Sequence, residues 1–342
     1  MRKLLPSLAL MGAIVLPFSA QAQTLTLQSA FPFNLTTIHD SVNRFVANTN
    51  EVTEGRVKFK SYDTGVMSPP FEILENVSNG SLDAGWSASS YWAGQIPAAA
   101  LFQNIPFGPD VPKYLAWLYS GGGLELWQEL YAPHNVVPIP CGSMVSEAGG
   151  WFNKPVNQVA DLKGVNMRIS GLGAKIISKL GVTASSLSAG ETYLGLETGR
   201  IGAAELSFPS IDQSAGFYQV SKNYYFPGWH QPGSLNELII NGDVWKAMKK
   251  SDQTAVKNIC ADLSLWMYSN ESIKQNEHLD YFRSQGVSIK RFPDDVMAAL
   301  KKATDEVLVE ESGKDADFKR VLASYQVFSV KYDEYAELSR LK

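Results

Sequence analysis

Residues 161–173 read Asp161-Leu-Lys-Gly-Val-Asn-Met-Arg168-Ile-Ser-Gly171-Leu-Gly173. Within them VNMRIS (165–170) has the make-up of a short strand, and Gly171 opens a helix to Leu180 that Gly181 stops. A strand that runs straight into a helix brings the Arg168 guanidinium and the free N–H groups of a helix start to one small volume, the outline of a carboxylate site. The plain alternative is an arginine on a strand edge paired with a surface acid.

Units of the same kind lie on both sides. TLTLQS (24–29) reads as a strand, Thr37 to Asn50 carries Ile38, Val42, Phe45 and Val46 at helical spacing, and RVKFKSY (56–62) alternates again. Ser68-Pro69-Pro70 followed by Glu72 starts a helix that Gly80 ends, and a strand from Leu82 to Ser87 follows. Ser188-Ala-Gly-Glu191 is a capping box that opens a helix ending at Gly199. From Asp243 onward the chain reads as mostly helical, with VMAALKKATDEVLVEES (296–312) the clearest stretch. Strands alternating with helices predict an α/β architecture with mostly parallel sheets, and a chain of 342 residues suggests two domains.

Composition narrows the function classes. With 45% hydrophobic and 19% charged residues the chain can bury a core, and 30 Lys plus Arg against 34 Asp plus Glu leave no basic excess for nucleic acid. Residues 1–22, MRKLLPSLALMGAIVLPFSAQA, have a basic start, an apolar middle and a small-x-small end, the pattern of a secretory signal peptide. No later segment is long and apolar enough to span a bilayer, so the processed chain is expected in the periplasm. Export makes Cys141 and Cys260 candidates for a disulfide, with two buried free thiols as the alternative. The sequence holds no Gly-x-Ser-x-Gly elbow, no zinc helix and no phosphate loop, and Gly121-Gly122-Gly123 reads as an ordinary loop. His39, His134, His230 and His278 are dispersed, without ligand-like spacing.

The 161–173 segment resembles the strand-Arg-helix signature of the solute-binding receptors of TRAP transporters, the DctP-type family, in which that arginine binds the ligand carboxylate. Val77-Ser78-Asn79-Gly80-Ser81-Leu82-Asp83-Ala84-Gly85 and Ser188 to Ile201 are similar to further blocks of that family, in the same order. Tyr91-Trp92, Ile105-Pro106-Phe107-Gly108, Gly149-Gly150-Trp151-Phe152 and Tyr225-Phe-Pro-Gly-Trp229-His230 resemble its branch for 2-keto and related hydroxy acids, which binds a metal ion with the ligand. Where that branch carries Glu-Trp after the capped helix, this chain has Glu205-Leu206. Where it has a Gln before the Gly-Gly-Trp-Phe block and a Glu after the Trp-His pair, this chain has Glu147 and Gln231, so the acid and the amide are exchanged.

The resemblance implies a two-lobed periplasmic binding protein fold of the α/β class, with a ligand cleft between lobes and a helical C-terminal segment. The lobes are expected at 23–145 plus about 234–273, and at 146–233 plus about 274–342 with the C-terminal helices. It implies a receptor, not an enzyme, that hands a small organic monocarboxylate to TRAP membrane subunits. Arg168 supplies the charge, Tyr91 a hydroxyl and Trp86 or Trp92 a wall, with core packing the alternative for these rings and favoured for Trp92; Glu147, Glu205 and Gln231 bind the ligand and hold Ca²⁺ or Na⁺, hard ions suited to oxygen donors. Loss of the ring at Leu206 predicts room for a tail bulkier than that of pyruvate. An exported enzyme using Glu147 and Glu205 as acid and base, and a sensory receptor for the same ligands, are the competing readings. Relatives in the branch dimerise through a C-terminal segment like 294–342, which makes a homodimer an expectation here; a helix packed on its own lobe is the alternative.

Overall fold

The structure, a computed structural model, describes residues 24–340, and the leader at 1–22 lies outside the described residues. In chain order the strands are β1 (Thr24–Ser29), β2 (Lys58–Tyr62), β3 (Ala84–Ser87), β4 (Val136–Met144), β5 (Gly150–Phe152), β6 (Asn166–Arg168), β7 (Thr183–Ser185), β8 (Ala203–Ala204), β9 (Asn223–Phe226), β10 (Ser234–Asn241) and β11 (Ser288–Arg291). They form two sheets, of order β2-β1-β3-β10-β4 and β11-β9-β5-β8-β6-β7. The chain passes from one to the other between β4 and β5 and returns between β9 and β10. It passes a third time along the helix Lys250–Ser284.

These crossings correct the expectation of mostly parallel sheets. β10 pairs antiparallel with β3 and β4, and β5 pairs antiparallel with β8 and β9, while the other pairings are parallel. A strand that arrives from the other sheet has no helical crossover to turn it round, so it lies antiparallel to its neighbours. β6 is an interior strand, flanked by β7 and β8, and not the edge that the plain alternative for Arg168 requires.

Helices cover the sheets through apolar stripes. The helix Thr36–Val52 buries Ile38, Val42 and Phe45, and Phe45 lies 5.3 Å from the Phe59 ring and 5.9 Å from Trp86. The helix Ala189–Glu197 starts on the capping box read from the sequence, with Ser188 and Glu191 each bonding the other's backbone. The Lys250–Ser284 helix has 35 residues and so is about 50 Å long, enough to run beside both sheets. On the first sheet it is tied by a disulfide between Cys260 and Cys141 of β4, and Ser264 Oγ accepts from Gly142 N–H at 3.0 Å. Near the second sheet its buried Glu271 accepts from Ser210 Oγ at 2.7 Å.

The C-terminal third is helical apart from β11. The helix Asp294–Lys314 packs on Gly171–Ser178, where Lys175 and Glu311 form an ion pair, and the helix Ala316–Ser339 returns to the first lobe. There Phe318, Val321, Leu322 and Tyr325 are buried, and Lys113 meets Asp333 at 2.7 Å. The same helix leaves Val327, Val330, Tyr335 and Leu338 exposed. Among the described residues no helix is long and apolar enough to cross a membrane.

Candidate functional site

Arg168 ends β6 with 3% of its surface exposed, so its charge must be met within the protein. Its Nε donates to Leu187 O at 3.1 Å, and its Nη1 donates to both the backbone oxygen of Glu205 (2.5 Å) and Oε1 of the same residue (3.0 Å). The Ser170 N–H at the helix start also donates to Glu205 Oε1, at 3.3 Å. The guanidinium and helix-end N–H thus meet as the sequence suggests, and the carboxylate between them is the protein's own. Burial raises the Tyr91 hydroxyl above its ordinary pKa, with the Arg168 guanidinium beside it pulling the other way.

Glu147 and Gln231 are brought together by two chain crossings that run side by side. Glu147 N–H donates to Gln231 O at 3.2 Å, and Gly228 N–H donates to Glu147 O at 2.8 Å. A Cβ at Gly228 would sit 2.3 Å from that oxygen, so only glycine permits the approach. Turned with its nitrogen toward Glu147, the Gln231 amide donates to Oε1 and Oε2 at 2.9 and 3.0 Å, and to Ser234 Oγ at 3.2 Å. The acid and amide that stand exchanged relative to the family are therefore in direct contact, and their exchange leaves the local set of groups unchanged.

His230, one residue before Gln231, lies between the two acids. Its Nε2 is 3.2 Å from Glu205 Oε2 and 3.7 Å from Glu147 Oε2, all three residues being almost fully buried. Burial lowers the imidazole, but Glu205 and Glu147 outweigh it and hold the pKa at about 9. Burial also raises both acids: Glu147 stays high, at about 7, whereas Arg168 and His230 bring Glu205 below its ordinary value. Sequence reasoning passed over His230 as one of four dispersed histidines, and its place beside Gln231 in the Trp229-His230 block was the available signal.

Arg168, Tyr91, Glu147, Glu205, Leu206 and Gln231 line one cavity of about 30 Å³, together with Ser170, Ser207, Asn236 and Gln103. Trp86 does not join them, which corrects its expected role as a wall. It is fully buried on β3 against Phe45, in the core beneath the Thr36–Val52 helix. Trp92 is likewise a core residue, its indole N–H donating to buried Glu237 at 2.5 Å. The room expected beside Leu206 is small, because Phe31, Leu35, Ile38 and Ile211 close around the same space. At about 30 Å³ the cavity holds two or three waters.

The donor set fits a hard cation. Glu147, Glu205 and His230 each offer a ligand atom within 4.8 Å of one another, and the Gln231 amide, turned over, presents its oxygen to the Glu147 carboxylate. Two carboxylates and an amide oxygen are the chemistry that Ca²⁺ and Na⁺ accept, while imidazole suits softer ions.

Residues 30–314 match the family model described as bacterial extracellular solute-binding protein, family 7. The chain is 35% identical over 278 residues to a monocarboxylate 2-oxoacid-binding periplasmic protein of Nostoc sp., covering 81% of this chain and 76% of that one. Among solved structures it resembles a TRAP transporter solute-binding protein from Bordetella bronchiseptica, a dimer with copurified calcium and picolinate. That likeness has a TM-score of 0.90 at 30% identity over 92% of this chain and 94% of that one. A TRAP periplasmic solute-binding protein from Pseudoalteromonas atlantica with bound sodium and pyruvate gives 0.88 at 28%, over 92% and 96%. By its sequence across both lobes and by the course of its chain, this protein belongs to the DctP family of bacterial extracellular solute-binding proteins.

Proposed function

We propose that this chain is the periplasmic receptor of a TRAP transporter, binding a small 2-oxo or 2-hydroxy monocarboxylate and delivering it to the membrane subunits. The observation that carries this reading is a guanidinium 3% exposed at the wall of a small cavity between two lobes of a family fold. A buried cation at a cavity wall is a place for an anion. The relatives from Nostoc, Bordetella and Pseudoalteromonas, which bind 2-oxoacids, picolinate and pyruvate, support the ligand class. The leader pattern at 1–22 and the disulfide support an oxidising compartment outside the cytoplasm. The small cavity and its aliphatic walls favour a short apolar tail.

Charge balance supports a cation beside the ligand. Among the described residues Arg168 is the one fixed positive charge facing the carboxyl groups of Glu147 and Glu205, so a ligand carboxylate adds a third acidic group to a buried volume. Ca²⁺ or Na⁺ held by Glu147, Glu205 and Gln231 would offset it. A homodimer is supported by the Bordetella relative and by the exposed Val327, Val330, Tyr335 and Leu338 on the last helix.

The test is a thermal-melt panel of monocarboxylates, dicarboxylates, sugar acids and amino acids, each with and without Ca²⁺ and Na⁺, followed by recovery of the ligand unchanged. At about 100 times its dissociation constant a ligand adds roughly 2.7 kcal/mol, a rise of about 4 °C for a chain of this size. A rise confined to 2-oxo and 2-hydroxy acids is expected. A rise confined to another class, or turnover of the acid, would overturn the reading.

A further inference from the structure

Asn236 lies in the middle of β10, fully buried, and it lines the cavity on the first-lobe side, opposite Arg168 and Glu205. Neither atom of its side-chain amide, Nδ2 or Oδ1, has a hydrogen-bond partner among the described residues. Other amides in the same region are engaged: Gln231 reaches Glu147, and Asn104 donates to His230 O at 2.9 Å. A buried donor and acceptor left unmet lose the bonds they make with water in the unfolded chain, so an amide placed this way is poised for a partner inside the cavity.

The backbone around it is built for that placement. The pairing of β10 with β4 shifts register between Leu235 and Glu237, because β4 carries an extra residue at Cys141-Gly142 opposite Asn236. Gly142 takes φ +116°, a conformation closed to side-chain-bearing residues, and the bulge is fastened to the long helix by the disulfide and by Ser264. β10 thus points Ser234 to Gln231 and Asn236 to the cavity, two residues apart on one face.

We infer that Asn236 is a specificity-determining residue that reads a hydroxyl of the bound acid, an inference that rests on the receptor reading above. The chemistry follows from the amide itself: Nδ2 needs an acceptor and Oδ1 needs a donor. A hydroxyl meets both, whereas a keto oxygen can only accept and gives Oδ1 no partner from the ligand. A site of this kind discriminates strongly against the analogue that lacks the donor. The receptor therefore prefers a 2-hydroxy acid to the 2-oxo acid of the same skeleton.

The experiment is calorimetry with matched pairs, lactate with pyruvate and 2-hydroxyisovalerate with 2-oxoisovalerate, in buffer holding both Ca²⁺ and Na⁺. The wild type, Asn236→Leu and Asn236→Ala are compared. Leu keeps the volume and Ala opens it, and the melting temperature of each reports its fold. In the wild type the hydroxy acid is expected to bind about tenfold more tightly or better, one lost hydrogen bond at a buried amide being a factor of this order. Both variants should bring the pair within about twofold while still binding the oxo acid, since one unmade hydrogen bond is what separates the two. Equal wild-type affinity for both members, or a preference unchanged in both variants, would overturn the inference and give the amide to an ordered water. Loss of both acids to the same extent would assign Asn236 to a group they share, and would overturn it as well. If the wild type binds no acid of either kind, the receptor reading itself fails and this inference with it.

Discussion

The exchange of acid and amide at positions 147 and 231 can be undone in the laboratory. Gln231→Glu alone places a second carboxylate where the amide now stands, 2.9–3.0 Å from the oxygens of Glu147. Two unit charges about 3 Å apart repel by roughly 5 kcal/mol at an effective dielectric of 20, and capture of a shared proton limits the cost to about 2–4 kcal/mol at pH 8. Unfolding entropy of about 2.1 cal/mol/K per residue over a chain of this size converts that to a fall in melting temperature of about 3–6 °C. Adding Glu147→Gln restores one carboxylate and one amide in contact, with the two sides reversed. The double variant should recover most of the loss, giving a coupling energy of about 2 kcal/mol or more between two positions 84 apart in the sequence (231 minus 147). The four proteins are melted at pH 8 in chelator and sodium-free buffer, so that no ion compensates. A double variant equal to the sum of the singles within about 0.5 kcal/mol would refute the contact, and with it the explanation of why the exchange is tolerated.

Other outcomes follow from the same structure. Arg168→Ala strands Glu205 and empties the charge from the cavity, so acid binding should weaken by roughly two to three and a half powers of ten, the equivalent of about 3–5 kcal/mol, and calorimetry checks it; unchanged affinity would remove Arg168 from the site. Reduction of the Cys141–Cys260 bond, which closes a loop of 119 residues, should cost about 4.8 kcal/mol by loop entropy and lower the melting temperature by about 7 °C, whereas a fall under 2 °C would refute the estimate. Burial raises Glu237 from 4.5 to about 7, so its contribution to stability is complete below about pH 4.5 and is lost as pH rises through 7. Glu237→Gln should therefore gain on the wild type between pH 5 and 8, by up to about 3 kcal/mol, and pH-resolved denaturant melts that run parallel would contradict this.

Much of the fold was legible because its local signals are strong. The Ser188 capping box, the turn at Gly80 and the strand leading to Gly171 are set by residues a few positions apart, and each element stands within a few residues of its expected place. The crossing strands β4, β5, β9 and β10 were not, since their character depends on partners roughly 50–155 residues away and their buried runs lack alternation. At the site, Arg168, Glu205 and Gln231 came from family blocks, while His230 was passed over because its neighbours arrive from three separate segments. Trp86 was misplaced for a related reason: a tryptophan next to a site in sequence points to the core or to the cleft according to strand register, and β3 turns it to the core.

What the site does with its charge bears on what it can distinguish. Arg168 cannot be left bare between ligands, and three acceptors, Leu187 O, Glu205 O and Glu205 Oε1, hold it through Nε and Nη1. None of these bonds uses Nη2, so an incoming carboxylate finds a positioned guanidinium with one arm engaged, in place of a free fork. Such a site attracts carboxylates as a class, because the charge is fixed and buried, but one remaining arm tells little about the rest of the molecule. Selection among acids must then come from groups that touch the other end: the aliphatic wall of Leu35, Ile38, Leu206 and Ile211, which limits the tail, and polar side chains of the first lobe. Leu206 and Ile211 share a lobe with Arg168, whereas Leu35, Ile38 and the polar side chains of the first lobe face it from the other, so a full reading of the acid draws on both lobes at once.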